Sequence, residues 1–267
     1  MQHKMLLGGE IDVGTVDFFK DDSIATIQFN RPEKLNTMTK EMAEQLLEAV
    51  DEVNRNDDIR VVILTGIGKK AFSAGSDISL LEDYGDNWQF RNRLEYCDVL
   101  RGIKKPLIAM VNGYAVGGGL ELALAADMRF ASDNAQFGAV EIKLGWIGGG
   151  GITQFLTHLV GYGKAMKMIL SGEFISAEEA YKDGLVEAVM PYDELKEYTY
   201  NYARKIAAFS PIALQSAKHG CRMALSIPLE AGIAYERDLQ TIAFYTEDKN
   251  EGINAFLEKR DPIFKGK

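Results

Sequence analysis

The sequence has few of the residues that build most metal and redox sites. Its 267 residues include three scattered histidines and two cysteines, Cys97 and Cys221. Neither residue type occurs with the spacing of a metal site, and two cysteines provide no disulfide framework. We therefore expect no metal, and the low cysteine content favours a reducing, cytoplasmic setting.

Long apolar runs and an excess of positive charge are also missing. No apolar run reaches the length of a bilayer-spanning helix, and residues 1–10 lack the apolar core of a signal peptide. The 30 basic and 39 acidic residues give a net charge of -9, which argues against a nucleic-acid partner. Neither a complete Walker motif nor a G-x-G-x-x-G dinucleotide motif is present, so a nucleotide site is disfavoured.

The composition that remains predicts a packed α/β protein. Hydrophobic residues make up 46% of the chain, which is ample for a large core. Residues 1–15 show no clear period and are interpreted as a leader. Residues 16–195 alternate strand-like and helix-like segments, whereas residues 196–267 are almost entirely helical in pattern and are interpreted as an assembly region.

Hydrophobic periods place the main elements within this plan. The alternation at 25–29 predicts a strand, and the continuous apolar runs at 61–64 and 107–111 predict buried strands. A helical face is formed by Met42, Ala43, Leu46, Leu47, Val50 and Val53. The sequence SAEE at 176–179 predicts a capping box, and a further strand is expected at 185–190.

The chemically most informative stretch is VNGYAVGGGLE at 111–121. Three glycines stand between an apolar strand and an apolar helix, where a ligand can approach bare backbone N–H groups, and Glu121 follows in the first helical turn. A second strand-to-helix loop, 66–77, ends near Ser76. Parallel strands would bring both loops to one edge, where two N–H groups form an oxyanion hole. The alternative is two ordinary turns of an α/β fold.

Two neighbouring segments extend this pattern. Glu141 comes shortly before a glycine run at 148–151 and a helix expected near Ile152. Two carboxylates in a partly dry site share a proton, which keeps one acid and one base available. The aromatic segment 79–105 is interpreted either as a lid that lines an apolar pocket or as a packed helix.

Six short motifs occur in a specific order along the chain. They are RPEKLN at 31–36, KAFSAGSDI at 70–78, NGYAVGGGLE at 112–121, FGAVE at 137–141, AYKDGLV at 180–186 and AFLEKR at 255–260. Together they resemble the enoyl-CoA hydratase/isomerase family, the crotonases. The resemblance implies a crotonase-like spiral of ββα units with a C-terminal helical trimerisation region. It also implies a homotrimer or a dimer of trimers, an acyl-CoA substrate, and no cofactor besides the coenzyme A of that substrate.

The same resemblance implies roles for individual residues. The backbone N–H groups of Ser76 and Gly118 match the family's oxyanion hole. Glu121 and Glu141 match its two catalytic glutamates, and the N–H group of Gly149 falls where hydratases hold the catalytic water. We assign Glu121 as the main base on water and Glu141 as the acid at the α carbon.

A CoA-binding surface is implied in the same way, with members Lys34, Leu35, Ala74, Ile78 and Lys259. Because CoA carries several negative charges and the chain is acidic overall, the phosphates need a local basic patch. Lys34 and Leu35 would lie along CoA, and Ala74 and Ile78 would lie near its adenine and pantetheine. Lys259 would face the phosphates from a neighbouring subunit. For any one exposed lysine, the alternative is a solvated surface charge.

The loop after Glu141 departs from the family pattern. Gly148 replaces the usual proline, Ile152 replaces a later glycine, and bulky Trp146 lies between them and the glutamate. We predict that Trp88 and Trp146 line the acyl pocket, which would favour a short, branched or cyclic acyl group over a long straight one. The alternative places Trp146 in the protein core.

The predicted activity is hydration of a 2-enoyl-CoA to a 3-hydroxyacyl-CoA. The conjugated thioester becomes enolate-like as water adds at the β carbon, so fixed dipoles at its oxygen give the largest stabilisation. The leading alternative is an enoyl-CoA isomerase that mainly uses Glu141, and the same scaffold supports racemases and hydrolases. A non-enzymatic binding protein, for example for RNA, is disfavoured by the net charge of -9 and by the two glutamates.

Overall fold

Two sheets and a set of helices make up the fold. The computed structural model describes residues 14–267, apart from the side chains of residues 82–84. The strands are β1 (Thr15–Asp21), β2 (Ile24–Asn30), β3 (Val61–Gly66), β4 (Ala71–Ser73), β5 (Leu107–Val111), β6 (Tyr114–Val116), β7 (Met128–Ser132), β8 (Gln136–Gly138), β9 (Phe174–Ser176) and β10 (Ala188–Met190). The α-helices are α1 (Lys40–Arg55), α2 (Asn87–Arg91), α3 (Tyr96–Arg101), α4 (Gly118–Ala125), α5 (Ile152–Val160), α6 (Tyr162–Ser171), α7 (Ala177–Lys182), α8 (Tyr192–Ala207), α9 (Pro211–Met223), α10 (Leu229–Phe244) and α11 (Glu247–Glu258). Short 3₁₀ helices cover Pro32–Lys34, Ile78–Tyr84 and Glu141–Leu144.

The strands alternate between a large and a small sheet. The large sheet has the order β1-β2-β3-β5-β7-β10 and the small sheet has the order β4-β6-β8-β9. Three successive pairs, β3–β4, β5–β6 and β7–β8, each place the first strand in the large sheet and the second in the small one, and helical segments follow each pair. This repeated order is a spiral of ββα units, which confirms the predicted α/β fold.

The large sheet has both faces covered. Every residue of β3 and β5 is buried, as expected for parallel strands between layers of helices. Helix α1 packs its predicted face against one side, and Thr39 caps it by accepting a hydrogen bond from the Met42 N–H at 3.2 Å. The prediction that Leu47 belongs to the apolar face of this helix is wrong, because its side chain is 40% exposed. It lies about 100° around the helix from buried Leu46, outside the apolar stripe.

Helix α8 covers the other side of the large sheet. Its residues Leu195, Ala203 and Ala207 share a buried cluster with Ile63 and Ile108 of the central strands. The boundary predicted at 195/196 therefore lies inside a helix that packs on the sheet. The division into a core and an assembly region, like the leader at 1–15, stays a prediction, and residues 1–13 lie outside the described range. No helix in that range is long and apolar enough to span a bilayer.

Two expectations about local structure have different outcomes. The capping box is confirmed, since the Ser176 hydroxyl accepts from the Glu179 N–H at 3.2 Å and the Ser176 N–H donates to the Glu179 carboxylate at 3.0 Å. The strand expected at 185–190 is shorter than predicted and begins at Ala188. Leu185 and Val186 are buried in the core without belonging to a strand.

Candidate active site

The glycines before α4 bring two loops into contact. Gly117 has φ +57°, a left-handed conformation that glycine adopts at little cost. A Cβ atom on Gly118 would lie only 3.1 Å from the Gly75 Cα and would overlap the Tyr96 Oη. A Cβ atom on Gly119 would overlap the carbonyl oxygen of Ser73 in β4. The glycine triplet therefore both packs α4 against the small sheet and places its N-terminus beside the 66–77 loop.

This contact leaves two backbone donors at one opening. Ser76 and Gly118 both line a cavity of about 160 Å³. Neither N–H group donates to an acceptor among residues 14–267. Gly118 is the first residue of α4, where backbone N–H groups have no partner within the helix and favour a negative charge. The two N–H groups can therefore donate to an oxygen that gains negative charge.

Glu121 is held in the same cavity by the glycine loop. It is 4% exposed, and its Oε1 accepts hydrogen bonds from the N–H groups of Gly150 at 2.8 Å and Ile152 at 3.2 Å. Its Oε2 accepts none from the described residues. A Cβ atom on Gly148 would lie 2.6 Å from Oε1, and one on Gly150 would lie 2.8 Å from Oε2. The absence of side chains in this loop lets its backbone reach the carboxylate.

Glu141 reaches the cavity from a different element. It begins the 3₁₀ helix after β8 and is partly buried. Its carboxylate lies against the α4 junction, since a Cβ atom on Gly117 would be 3.3 Å from its Oε1. Glu121 and Glu141 both line the cavity. The site therefore combines two carboxylates with two backbone donors, as the motifs predict.

The surroundings of the two carboxylates shift their pKa values upwards. Burial raises the pKa of Glu121 to about 7, and the negative charge of Glu141 adds to this effect, although the bonds from Gly150 and Ile152 oppose it. Burial also raises the pKa of Glu141. A pair of carboxyl groups, one of which titrates near pH 7, can share one proton and so provide both an acid and a base, which suits acid–base chemistry.

The raised pKa of Glu121 should make protein stability depend on pH. The unfolded carboxyl ionises near 4.5, whereas the folded one stays protonated to about 7. Between these values the folded state binds more protons, so the free energy of unfolding falls as pH rises. We expect Glu121→Gln to be more stable than the wild type above neutral pH, by at most about 3 kcal/mol, with little gain at acidic pH. Urea unfolding at about pH 5 and about pH 8 checks this, and an equal difference at both would contradict it.

The cavity brings together most of the predicted site residues. Those that line it are Ala74, Ser76, Ile78, Gly118, Glu121, Glu141, Trp146 and Gly149. Trp146 is 40% exposed and faces the cavity, so the alternative of a core position is wrong.

Four predicted residues do not line this cavity. Trp88 is 76% exposed on α2, a helix without buried residues, and does not line the cavity, so its prediction as an acyl-pocket residue is corrected. Phe90 of the same helix lines the cavity instead. Lys34 is exposed and Leu35 is half-buried, although the Leu35 carbonyl accepts from the Ala74 N–H at 3.0 Å. Lys259 is exposed after α11, with a left-handed φ of +56°.

The structure adds wall residues that the motifs did not identify. They are Leu81, Phe90, Arg93, Tyr96, Gly117, Val140, Leu144, Ile147 and Gly148. Tyr96 is 7% exposed, and its hydroxyl lies 3.0 Å from the Ser76 hydroxyl. Burial raises the pKa of Tyr96 well above the usual value of a tyrosine, so its side chain stays a neutral phenol. The aromatic content of 79–105 indicated a pocket wall, but not which side chains face inwards.

Comparisons with known proteins agree on one family. A family model described as enoyl-CoA hydratase/isomerase matches residues 20–267. The (E)-benzylidenesuccinyl-CoA hydratase of Thauera aromatica is 41% identical over 91% of this chain and 96% of its own length. The 2,3-dehydroadipyl-CoA hydratase of Escherichia coli K12 is 41% identical over 93% of this chain and 97% of its own length.

A solved structure shows the same architecture. The crystal structure of enoyl-CoA hydratase from Bacillus anthracis superposes with a TM-score of 0.89 at 37% sequence identity, and the match covers 96% of this chain and all of that one. The chain therefore belongs to the enoyl-CoA hydratase/isomerase family. In the part of the chain that the structure describes, no group of three or more His, Cys, Asp or Glu side chains is placed to hold a metal ion.

Proposed function

We propose that the chain is an enoyl-CoA hydratase, which adds water across the 2,3 double bond of an acyl-CoA thioester. The observation that carries the proposal is the position of Glu121 and Glu141 in one small cavity beside two backbone N–H groups that have no acceptor within the described part of the chain. Relatives 41% identical over nearly the whole chain are named as hydratases of CoA thioesters, which supports the same reaction here.

The roles of the residues follow from the geometry of the site. The thioester oxygen accepts hydrogen bonds from the Ser76 and Gly118 N–H groups, which stabilise the enolate-like transition state. Glu121 takes a proton from water through Oε2, because Oε1 is occupied by the loop N–H groups. In the reactive form the proton shared by the two carboxyl groups lies on Glu141, which leaves Glu121 ionised as the base. The water oxygen bonds to the β carbon while Glu141 gives this proton to the α carbon. The net change is addition of one water, and proton transfer between the carboxyl groups or to solvent resets the site.

The reaction needs no cofactor beyond the coenzyme A of the substrate. Ala74 and Ile78 line one side of the cavity, and Leu35 is hydrogen-bonded to Ala74. We place the pantetheine along this side, with Lys34 near CoA and Lys259 of a neighbouring subunit facing the phosphates. We also propose that the protein acts in the cytoplasm, as its low cysteine content predicts.

Hydration is tested with crotonyl-CoA, a short unbranched 2-enoyl thioester. Loss of the absorbance of the conjugated thioester, with incorporation of one oxygen from labelled water, supports the hydratase. Turnover of a 3-enoyl-CoA to the 2-enoyl isomer, without hydration of any 2-enoyl-CoA, would replace this proposal with the isomerase.

The cavity dimensions favour a small acyl group. A volume of about 160 Å³ resembles that of an apolar cavity that holds one benzene ring. Trp146 and Ile147 form part of its wall. We propose that the enzyme prefers a short, branched or cyclic acyl group.

Shortening Trp146 should change this preference. We expect Trp146→Ala to shift kcat/KM towards longer acyl chains, by about 1–3 kcal/mol for each methylene that the enlarged pocket accommodates. The measurement is kcat/KM against acyl length for both enzymes, with the exposed Trp88→Ala as the matched control. Parallel curves, or a wild type that already prefers long chains, would show that Trp146 does not limit acyl length.

The exposed apolar residues of the C-terminal helices support assembly. Leu225, Leu229, Phe244, Phe256 and Leu257 are each at least 47% exposed. Phe244, Phe256 and Leu257 line one apolar groove. Exposed apolar surface of this kind is typical of a face that another subunit covers. We propose a homotrimer or a dimer of trimers built on α9–α11. Light scattering at micromolar concentration should give the mass of three or six chains, and a monomer would contradict the assembly and the role of Lys259 across subunits.

A further inference from the structure

One feature of the cavity has no part in simple hydration. The wall beyond the two glutamates is apolar, with Leu81, Phe90, Val140, Leu144, Trp146 and Ile147 as members. Among the described residues that line this cavity, Arg93 is the one with a basic side chain. A hydrocarbon acyl chain needs no cation, and burial of a cation costs free energy unless it is paired.

The guanidinium of Arg93 is held in one position. Nη1 donates to the Phe90 carbonyl at 2.8 Å, and Nη2 forms an ion pair with the Glu95 carboxylate at 2.6 Å. The group also lies over the Phe90 ring, 4.3 Å from its centroid, and the side chain is 19% exposed. These two hydrogen bonds use two of its five N–H groups. The remaining donors belong to a fork that is already oriented, so little entropy is lost when they bind an acceptor.

Arg93 lies close to the reacting atoms as well as to the acyl wall. Its Nη2 is 3.7 Å from the position of a Cβ atom on Gly149, the residue proposed to hold the water. A carboxylate bound to Arg93 would therefore lie on the side of the cavity where the water is proposed to bind. Glu121, Glu141 and Glu95 would repel an anion from this region, so an anionic acyl group requires the cation.

We propose that Arg93 binds a second carboxylate on the acyl group. The preferred substrate is then the CoA monothioester of a short unsaturated dicarboxylic acid, which deepens the proposed hydratase function and rests on it. The guanidinium fork matches a carboxylate in shape and charge. Glu95 orients the fork from the other side, while the substrate carboxylate occupies the donors that face the cavity.

The test compares two six-carbon 2-enoyl-CoA thioesters that differ only in a terminal carboxylate. We expect the wild type to favour the carboxylated substrate by about 10- to 100-fold in kcat/KM. Arg93→Met should remove or reverse this ratio, and Arg93→Lys should keep part of it, because lysine retains the charge without the fork. Glu95→Gln should increase the ratio, because it removes a negative charge that repels the substrate carboxylate while the amide oxygen can still accept from Nη2. Arg91→Met, an exposed arginine on α2, is the matched control and should keep the wild-type ratio.

Use of a ratio within each enzyme separates specificity from general damage to the site. A wild-type ratio near one, or the same ratio in Arg93→Met and the wild type, overturns the role of Arg93 while the hydratase proposal stands if crotonyl-CoA is hydrated. Calorimetric binding of the saturated six-carbon acyl-CoAs, with and without the terminal carboxylate, tests the same site without turnover. Equal affinities in the wild type would reject the proposal even if no substrate is hydrated.

Discussion

Replacing Glu121 or Glu141 by glutamine should lower kcat for hydration by about 100- to 10,000-fold. Glutamine keeps the shape of the side chain and, at position 121, can still accept from the Gly150 and Ile152 N–H groups through its carbonyl oxygen. It cannot take a proton from water or give one to the α carbon. The loss should therefore appear in kcat, with the affinity for a CoA thioester nearly unchanged.

The kinetic comparison needs a control and a way to separate the alternatives. Glu173→Gln, an exposed glutamate before β9, should retain wild-type kcat and KM. If Glu121→Gln hydrates at a near-normal rate while Glu141→Gln does not, one carboxylate carries the chemistry. That result would contradict the assignment of Glu121 as the base on water and leave Glu141 as the carboxylate that hydration requires, while turnover of a 3-enoyl-CoA by the wild type tests the isomerase.

The sequence is sufficient to predict long elements and the chemistry of the site. The apolar runs that became β3 and β5 are too short for a typical buried helix and are bounded by Gly66, Pro106 and Gly113, which favours buried strands. Glu121 and Glu141 lie next to glycine segments, and those glycines have no side chain that would keep the backbone away from the carboxylates. The glycines beside each glutamate, which are visible in the sequence, therefore predict that backbone groups can lie close to the two carboxylates.

Features that depend on tertiary contacts could not be predicted in the same way. Strands β4 and β6 have three residues each, too few to show a period, so the loops 66–77 and 113–117 resembled simple turns. Trp88 and Phe90 belong to one short helix, and only the packing of that helix decides which ring faces the cavity. Arg93 lies outside the sequence motifs, and its position in the cavity wall depends on contacts with Phe90 and Glu95.

The second large effect is expected at Gly118, where one methyl group should displace the backbone N–H group that we propose as an oxyanion donor. A Cβ atom there would overlap the Tyr96 Oη and lie 3.1 Å from the Gly75 Cα. Tyr96 is buried and bonded to Ser76, so it cannot move without disturbing the second donor. We expect Gly118→Ala to lower kcat by about 100- to 1,000-fold, the usual cost of losing one oxyanion donor.

Removal of the Tyr96 hydroxyl should partly reverse this loss and thereby identify its cause. Without Oη, the nearest ring atom of residue 96 is Cζ, 3.3 Å from the new methyl group, a contact that a small shift relieves. Gly118→Ala with Tyr96→Phe should therefore have a higher kcat than Gly118→Ala alone, measured as a double-mutant cycle. Gly119→Ala is the contrasting variant, because its methyl group would overlap the Ser73 carbonyl oxygen and should lower the melting temperature. Wild-type kcat in Gly118→Ala would contradict this prediction, because it would show that the methyl group is accommodated without displacing the N–H group. Loss of kcat without recovery in the double variant would place the cause in the contact with Gly75.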